Sequence, residues 1–115
     1  MPLIRLTASV PMDAASHQLL TKRLTDIIAG ITDKDEDYVM VLIDHAAGGM
    51  GGHIGPVAFV DVRGIGGLYD AVNSRISAAV CKLLQEELAI PPDCVYLNFC
   101  SVRAYNWGWN GQTFG

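Results

Sequence analysis

The chain is short of the residues that would staple it, span a bilayer or bind a polyanion. Its three cysteines, Cys81, Cys94 and Cys100, are odd in number, and their spacings fit neither a Cys-x-x-Cys redox pair nor a zinc site. They read as reduced, mostly buried thiols. No segment reaches the ~20 consecutive apolar residues a membrane helix needs, and Met1-Pro2 runs directly into Leu3-Ile4-Arg5-Leu6 without a basic lead and a long apolar stretch. A cytosolic protein is expected, or one secreted by a route that leaves no signal, with no membrane partner. Charged residues make up only 17%, with a formal net charge of −4, and the eight basic residues are scattered. No stretch has the basic footprint of a nucleic-acid binder.

What is abundant is apolar: half of the 115 residues are hydrophobic. The length suits a single domain over residues 1–115 with one core. So apolar a composition in so small a chain implies surface covered by another subunit.

Leu3 to Val10 alternates apolar and polar residues with the period of a half-buried strand, and Pro11 ends it. Asp13 is placed to cap a helix over about 13–30, whose Leu19, Leu20, Leu24, Ile27, Ile28 and Ile31 form one stripe. An acidic loop follows, then a short strand over Tyr38 to Ile43. Ala46 to Gly55 has five glycines in ten positions and reads as a mobile connection. The pattern then repeats: a strand over Val57 to Arg63, a turn at Gly64 to Gly67, a helix from Leu68 that Pro91-Pro92 stops, and a strand over Cys94 to Val102. The tail from Tyr105 to Gly115 suggests a short terminal strand or hairpin.

Strand, helix, strand, twice over, is α+β architecture made of two βαβ units, each with parallel strands, giving a four-stranded sheet with both helices on one face. The other face would carry Arg5, Thr7 and Ser9 beside Leu3, too mixed for a core and too apolar to be freely solvated. A partner sheet is its natural cover.

Chemistry-bearing residues are few. Pro2 acquires a secondary amine when Met1 is removed, and that amine could serve as a base. Its pKa would have to be lowered, by apolar surroundings and by a neighbouring cation. Lys34, alone among Asp33, Asp35, Glu36 and Asp37, is either a solvated lysine in a charge-balanced turn or that cation. Tyr96 and Asn98 alternate with Leu97 and Phe99, which puts phenol and amide on one strand face about 7 Å apart. Asn98 either caps backbone or contacts a small ligand. Gly64 to Gly67, between strand and helix, has the context of an anion-receiving turn, but Tyr69 breaks the dinucleotide fingerprint. His45 and His53 lack a third metal ligand at a convincing spacing. Trp107, Trp109 and Phe114 either anchor a neighbouring subunit or wall a pocket for a flat ligand.

Together these elements resemble the macrophage migration inhibitory factor family of the tautomerase superfamily. The resemblance rests on Met1-Pro2, Lys34, Gly64-Ile65-Gly66, Pro-Asp-x-Val-Tyr-x-Asn at Pro92 to Asn98, and Gly-Trp-Asn-x-x-Thr-Phe at Gly108 to Phe114. The last two motifs are closer to this factor than to its D-dopachrome tautomerase paralogue.

The resemblance implies a homotrimer with active sites at subunit boundaries and no cofactor. It implies keto–enol tautomerisation of small aromatic 2-oxo acids such as phenylpyruvate, and isomerisation of dopachrome-like compounds. Pro2 is then the base, Lys34 and the Ile65 backbone hold the carboxylate, and Tyr96 and Asn98 contact the ring or its hydroxyl. Trp109 and Phe114 line the pocket, with Trp107 at its mouth in place of a smaller aliphatic residue.

Two further departures bear on function. Val57 and Val60 stand where some relatives carry Cys-x-x-Cys, so thiol oxidoreductase chemistry lacks its residues. Met12 stands where the vertebrate cytokine has a receptor-engaging arginine, although Asp44 still matches the paired acid. The alternative to an enzyme is a secreted, receptor-binding protein with a vestigial pocket, and Met12 weighs against it.

Overall fold

The computed structural model describes residues 1–115. In chain order the elements are β1 (Leu3–Ala8), α1 (Ala14–Thr32), β2 (Met40–His45), β3 (Gly49–Met50), β4 (His53–Ile54), β5 (Ala58–Ile65), α2 (Asp70–Leu88), β6 (Val95–Val102), β7 (Gly108–Trp109) and β8 (Gln112–Thr113). The main sheet has the order β2-β1-β5-β6. β1 pairs parallel with β2, and β5 parallel with β6, so each βαβ unit closes as expected. The units meet through the antiparallel pair β1–β5, with Leu3 opposite Arg63 and Ala8 opposite Ala58.

Both helices lie on one face. Alternate strand residues, among them Ile4, Leu6, Val60 and Val62, meet Leu20, Leu24 and Ile28 of α1 and Ile76, Val80 and Leu84 of α2 in a core of 17 buried apolar residues. The side chain of Asp13 caps α1 by accepting from the Ser16 amide at 2.8 Å. At its other end α1 runs on to Thr32, where Asp33 adopts the left-handed conformation that terminates it.

Several bounds differ from the expectations: β1 ends at Ala8 rather than Val10, β2 runs past Ile43 to His45, and β5 past Arg63 to Ile65. The strand expected over Tyr38 to Ile43 starts later, at Met40, because the Asp35 carboxylate accepts from the Asp37 amide and sets a 3-10 turn over Glu36–Tyr38. The helix expected from Leu68 starts at Asp70. Leu68 instead packs on the core from outside it, after Gly66 and Gly67 carry the chain round with φ of 65° and 75°. The glycine-rich segment carries a short two-stranded ribbon, β3–β4. Gly51 and Gly52, at φ 64° and 84°, make the two-residue turn of the β3–β4 ribbon.

A candidate active site at the first strand

The backbone places Pro2 before it places anything else. The Pro2 carbonyl accepts from the Met40 amide at 3.0 Å, which extends the β1–β2 ladder by one residue and fixes the start of the chain. Pro2 is buried and Met1 half-buried. Around them opens a cavity of about 550 Å³ whose walls include Tyr38, Val39, Met40, Trp107 and Trp109.

The aromatic wall is built from two distant parts of the chain. Tyr38 meets Trp109 edge to face, with ring centroids 5.9 Å apart, and Trp109 stacks on Phe114 at 6.1 Å. The Phe114 amide donates to the Trp107 carbonyl at 3.2 Å, so the β7–β8 hairpin presents Trp107 and Trp109 to the cavity while Phe114 supports Trp109 from behind.

Lys34 comes from the loop after α1. Its ammonium donates to the Ile65 carbonyl at 2.7 Å, where β5 ends. Gly64 lies on the other flank, against the Met1 carbonyl. The amine of Met1 feels this setting: burial lowers its pKa below the ordinary value, and the charge of Lys34 lowers it further. Both effects favour the unprotonated amine a base requires.

Tyr96 and Asn98 do not join this group within one chain. They stand on the helix-free face, Tyr96 opposite Phe59 and Asn98 opposite Asp61. Since Leu3 pairs with Arg63 and Arg63 with Cys100, the Tyr96 row is four residues, about 13 Å, along the sheet from the row next to Pro2. Tyr96 lines a separate hollow of about 420 Å³ with Thr7, Ala8, Phe59 and Cys94.

Tyr38 is a wall residue the sequence did not single out as part of a site. Its place beside Lys34 in a loop was the available signal, but its apolar neighbours assigned it to a strand. Elsewhere, a larger hollow of about 660 Å³ runs along the outer side of α1 past His17, Lys22 and Glu36, shallow and almost wholly polar. No three side chains among His, Cys, Asp and Glu converge on a point that would hold a metal. His45 is engaged with the Ser9 carbonyl at 3.2 Å. No helix is long and apolar enough to cross a membrane.

A four-stranded mixed sheet of two βαβ units, covered by two helices and carrying a buried proline at the head of its first strand, defines a tautomerase-type fold. The chain superimposes on the macrophage migration inhibitory factor-like protein of Entamoeba histolytica with a TM-score of 0.94, at 28% identity over 98% of both chains. The homologue from Prochlorococcus marinus matches with a TM-score of 0.92 at 37% identity, over 98% of this chain and 99% of that one. In sequence the chain is 35% identical to the homologue from Trichuris trichiura over 118 aligned positions, covering 99% of this chain and all of that one. The family model for macrophage migration inhibitory factor matches residues 1–115, and the chain belongs to that family.

Proposed function

We propose that this protein is a cofactor-independent keto–enol tautomerase of phenylpyruvate-like 2-oxo acids, with dopachrome-like compounds as a second substrate class. One observation carries the reading: Pro2 lies buried at an aromatic-walled cavity whose entrance feels the charge of Lys34, a charge that lowers the pKa of the Met1 amine preceding it. Removal of Met1 takes that amine away and creates another, one residue further in, on the Pro2 nitrogen, which is buried at the same cavity. Unprotonated, it takes a proton from the carbon next to the substrate's keto group. The electron pair left behind forms the carbon–carbon double bond of the enol while charge moves to the keto oxygen, and the proton is returned there. Run backwards, the same steps convert enol to keto.

Lys34 and the Ile65 backbone hold the substrate carboxylate, and Trp107 and Trp109 with Tyr38 confine the ring, with Phe114 stacked behind Trp109. Residues 1–115 act as one domain and assemble as a homotrimer, so that Tyr96 and Asn98 of one subunit reach the Pro2 cavity of the next. The apolar side chains left exposed on the helix-free face support that assembly. The receptor-binding alternative finds less support. Asp44, the acid it would use, is occupied by Arg5 at 2.6 Å and by Thr7 at 2.5 Å, and Met12 packs against the core.

The test is phenylpyruvate turnover by Met1-free protein and by its Pro2→Gly variant. Pro2→Gly keeps a terminal amine but exchanges the ring-held secondary amine for a mobile primary one, so kcat should fall, and blocking the amine altogether should cost about 10²–10⁴-fold. Equal rates overturn the proposal. Protein that retains Met1 is expected to be inactive, because the prolyl nitrogen is then an amide.

A further inference from the structure

The head of β1 has an opposite charge on each flank, and the two do not cancel. On the β5 side the Lys34 ammonium donates to the Ile65 carbonyl at 2.7 Å and forms no ion pair. On the β2 side stands Asp37, three residues before Met40, and it lines the Pro2 cavity. Its carboxylate has neither a cation nor a hydrogen-bond donor, whereas Asp44 and Asp61 on the open sheet face are taken by Arg5 and Arg63. In the sheet β1 lies between β2 and β5, so at about 4.8 Å per strand the two flanks are about 10 Å apart.

The turn that carries Asp37 is fixed by its backbone. The Asp37 amide donates to the Asp35 carboxylate at 2.9 Å, and the Tyr38 and Val39 amides donate to the Asp35 and Glu36 carbonyls, each at 3.1 Å. Of the four acids in this loop only Asp37 lines the cavity, whose other walls carry no charged side chain. Asp37 also borders the polar hollow along α1, which puts it at the cavity's outer rim.

We propose that Asp37 is a specificity-determining residue, which selects aryl 2-oxo acids whose ring ends in a positively charged group over those whose ring is neutral or bears a second negative charge. The inference rests on the tautomerase reading for the reaction and adds the substrate class; charge selection in binding needs no turnover. With the carboxylate at Lys34, the reacting carbon at Pro2 and the ring against Tyr38 and Trp109, the far end of the ring reaches the β2 flank. There it meets a carboxylate that no side chain of the protein neutralises. A cation is attracted and a second carboxylate repelled. Water reaches the rim and screens the charge, so each effect is about threefold to tenfold in affinity.

The experiment measures binding to Met1-free protein by tryptophan fluorescence near about pH 7, where the amine of the cationic probe is protonated. The probes are 3-phenylpropionate and its 4-aminomethyl and 4-carboxy derivatives, which keep the chain length of phenylpyruvate but have no keto group to react. Wild type should bind the cationic probe about threefold to tenfold more tightly than the neutral one, and the dianionic probe more weakly by a similar factor. Asp37→Asn should bring the three affinities together, changing the neutral probe least. Asp37→Glu should keep the order, and so should Glu36→Gln, which removes an acid of the same loop that does not line the cavity. Added salt should compress the differences in wild type. Equal binding of the three probes by wild type, an order that survives Asp37→Asn, or the same loss of order in Glu36→Gln overturns the proposal. The matching 2-oxo acids should follow the same order in kcat/KM, with Asp37→Asn acting on KM more than on kcat. A wild type that binds the probes in this order yet turns over none of the 2-oxo acids counts against the tautomerase reading and upholds the role of Asp37.

Discussion

The two faces of the main sheet are made by alternate residues of the same strands, yet they obey different rules. On the helix side, 17 apolar residues are buried and no polar side chain is. On the other side Arg5 is paired with Asp44 and Arg63 with Asp61, all on the surface, beside Met40, Leu42, Phe59 and Tyr96, which are 45–66% exposed. Exposed ion pairs contribute little to stability, so this face does not hold itself together. The difference teaches that one face folds the chain and the other is left for something outside it. The Pro2 cavity lies at the sheet's end, where the two faces meet the tail.

Breaking the helix face should have the largest effect. Ile76 is fully buried, and Ile76→Ala is expected to cost about 2–5 kcal/mol, read from the urea midpoint. Leu42→Ser on the open face should leave the unfolding of the isolated chain nearly unchanged and instead reduce the assembled mass seen in sedimentation. If both substitutions moved the urea midpoint alike, the contrast between the faces would be gone.

Subunit mixing sharpens the same contrast at the level of activity. Pro2→Gly and Asn98→Ala should each be impaired alone. Random mixed trimers should recover about a quarter of the wild-type rate, the share of boundaries that pair a native Pro2 with a native Asn98. Failure to recover would place the open face outside the site.

A smaller effect concerns pH. Burial and Lys34 hold the Met1 amine below its ordinary pKa, and the same surroundings should act on the Pro2 amine of processed protein, so kcat/KM should rise with pH through a lowered value and then level off. Lys34→Gln removes one of the two causes and should move the rising limb to higher pH. An unmoved limb would leave burial as the sole cause.

The smallest change is expected from Trp107→Val at the cavity wall, which should improve turnover of bulky rings about threefold to tenfold and alter small substrates less. Unchanged kinetics with both would remove Trp107 from the determinants of specificity.

Much of the fold was legible because its signals are local. Asp13 caps where a cap was expected, the stripe of Leu20, Leu24 and Ile28 faces inward, and Val60 and Val62 alternate as strand residues with one buried face do. The misread stretches turn on single hydrogen bonds and backbone angles. Asp35 bonding the Asp37 amide converted the start of a strand into a 3-10 turn and delivered Tyr38 to the cavity, and Gly51-Gly52 turned an apparent linker into a ribbon. In the site, Lys34, Ile65, Trp107 and Trp109 were all marked by the family resemblance. That Lys34 sits on the Ile65 carbonyl, and that Phe114 stands behind Trp109 instead of lining the cavity, needed coordinates.

The sequence by itself determined two βαβ units, the apolar stripes that close one core, and the family to which the chain belongs, because periodicity, caps and motifs are written in neighbouring residues. Only the tertiary structure decided what stands beside Pro2. The antiparallel meeting of β1 with β5 sets Pro2 near the end of β5 and leaves Tyr96 about 13 Å along the sheet. That register depends on how two separately legible units pack, and packing between units has no local signature.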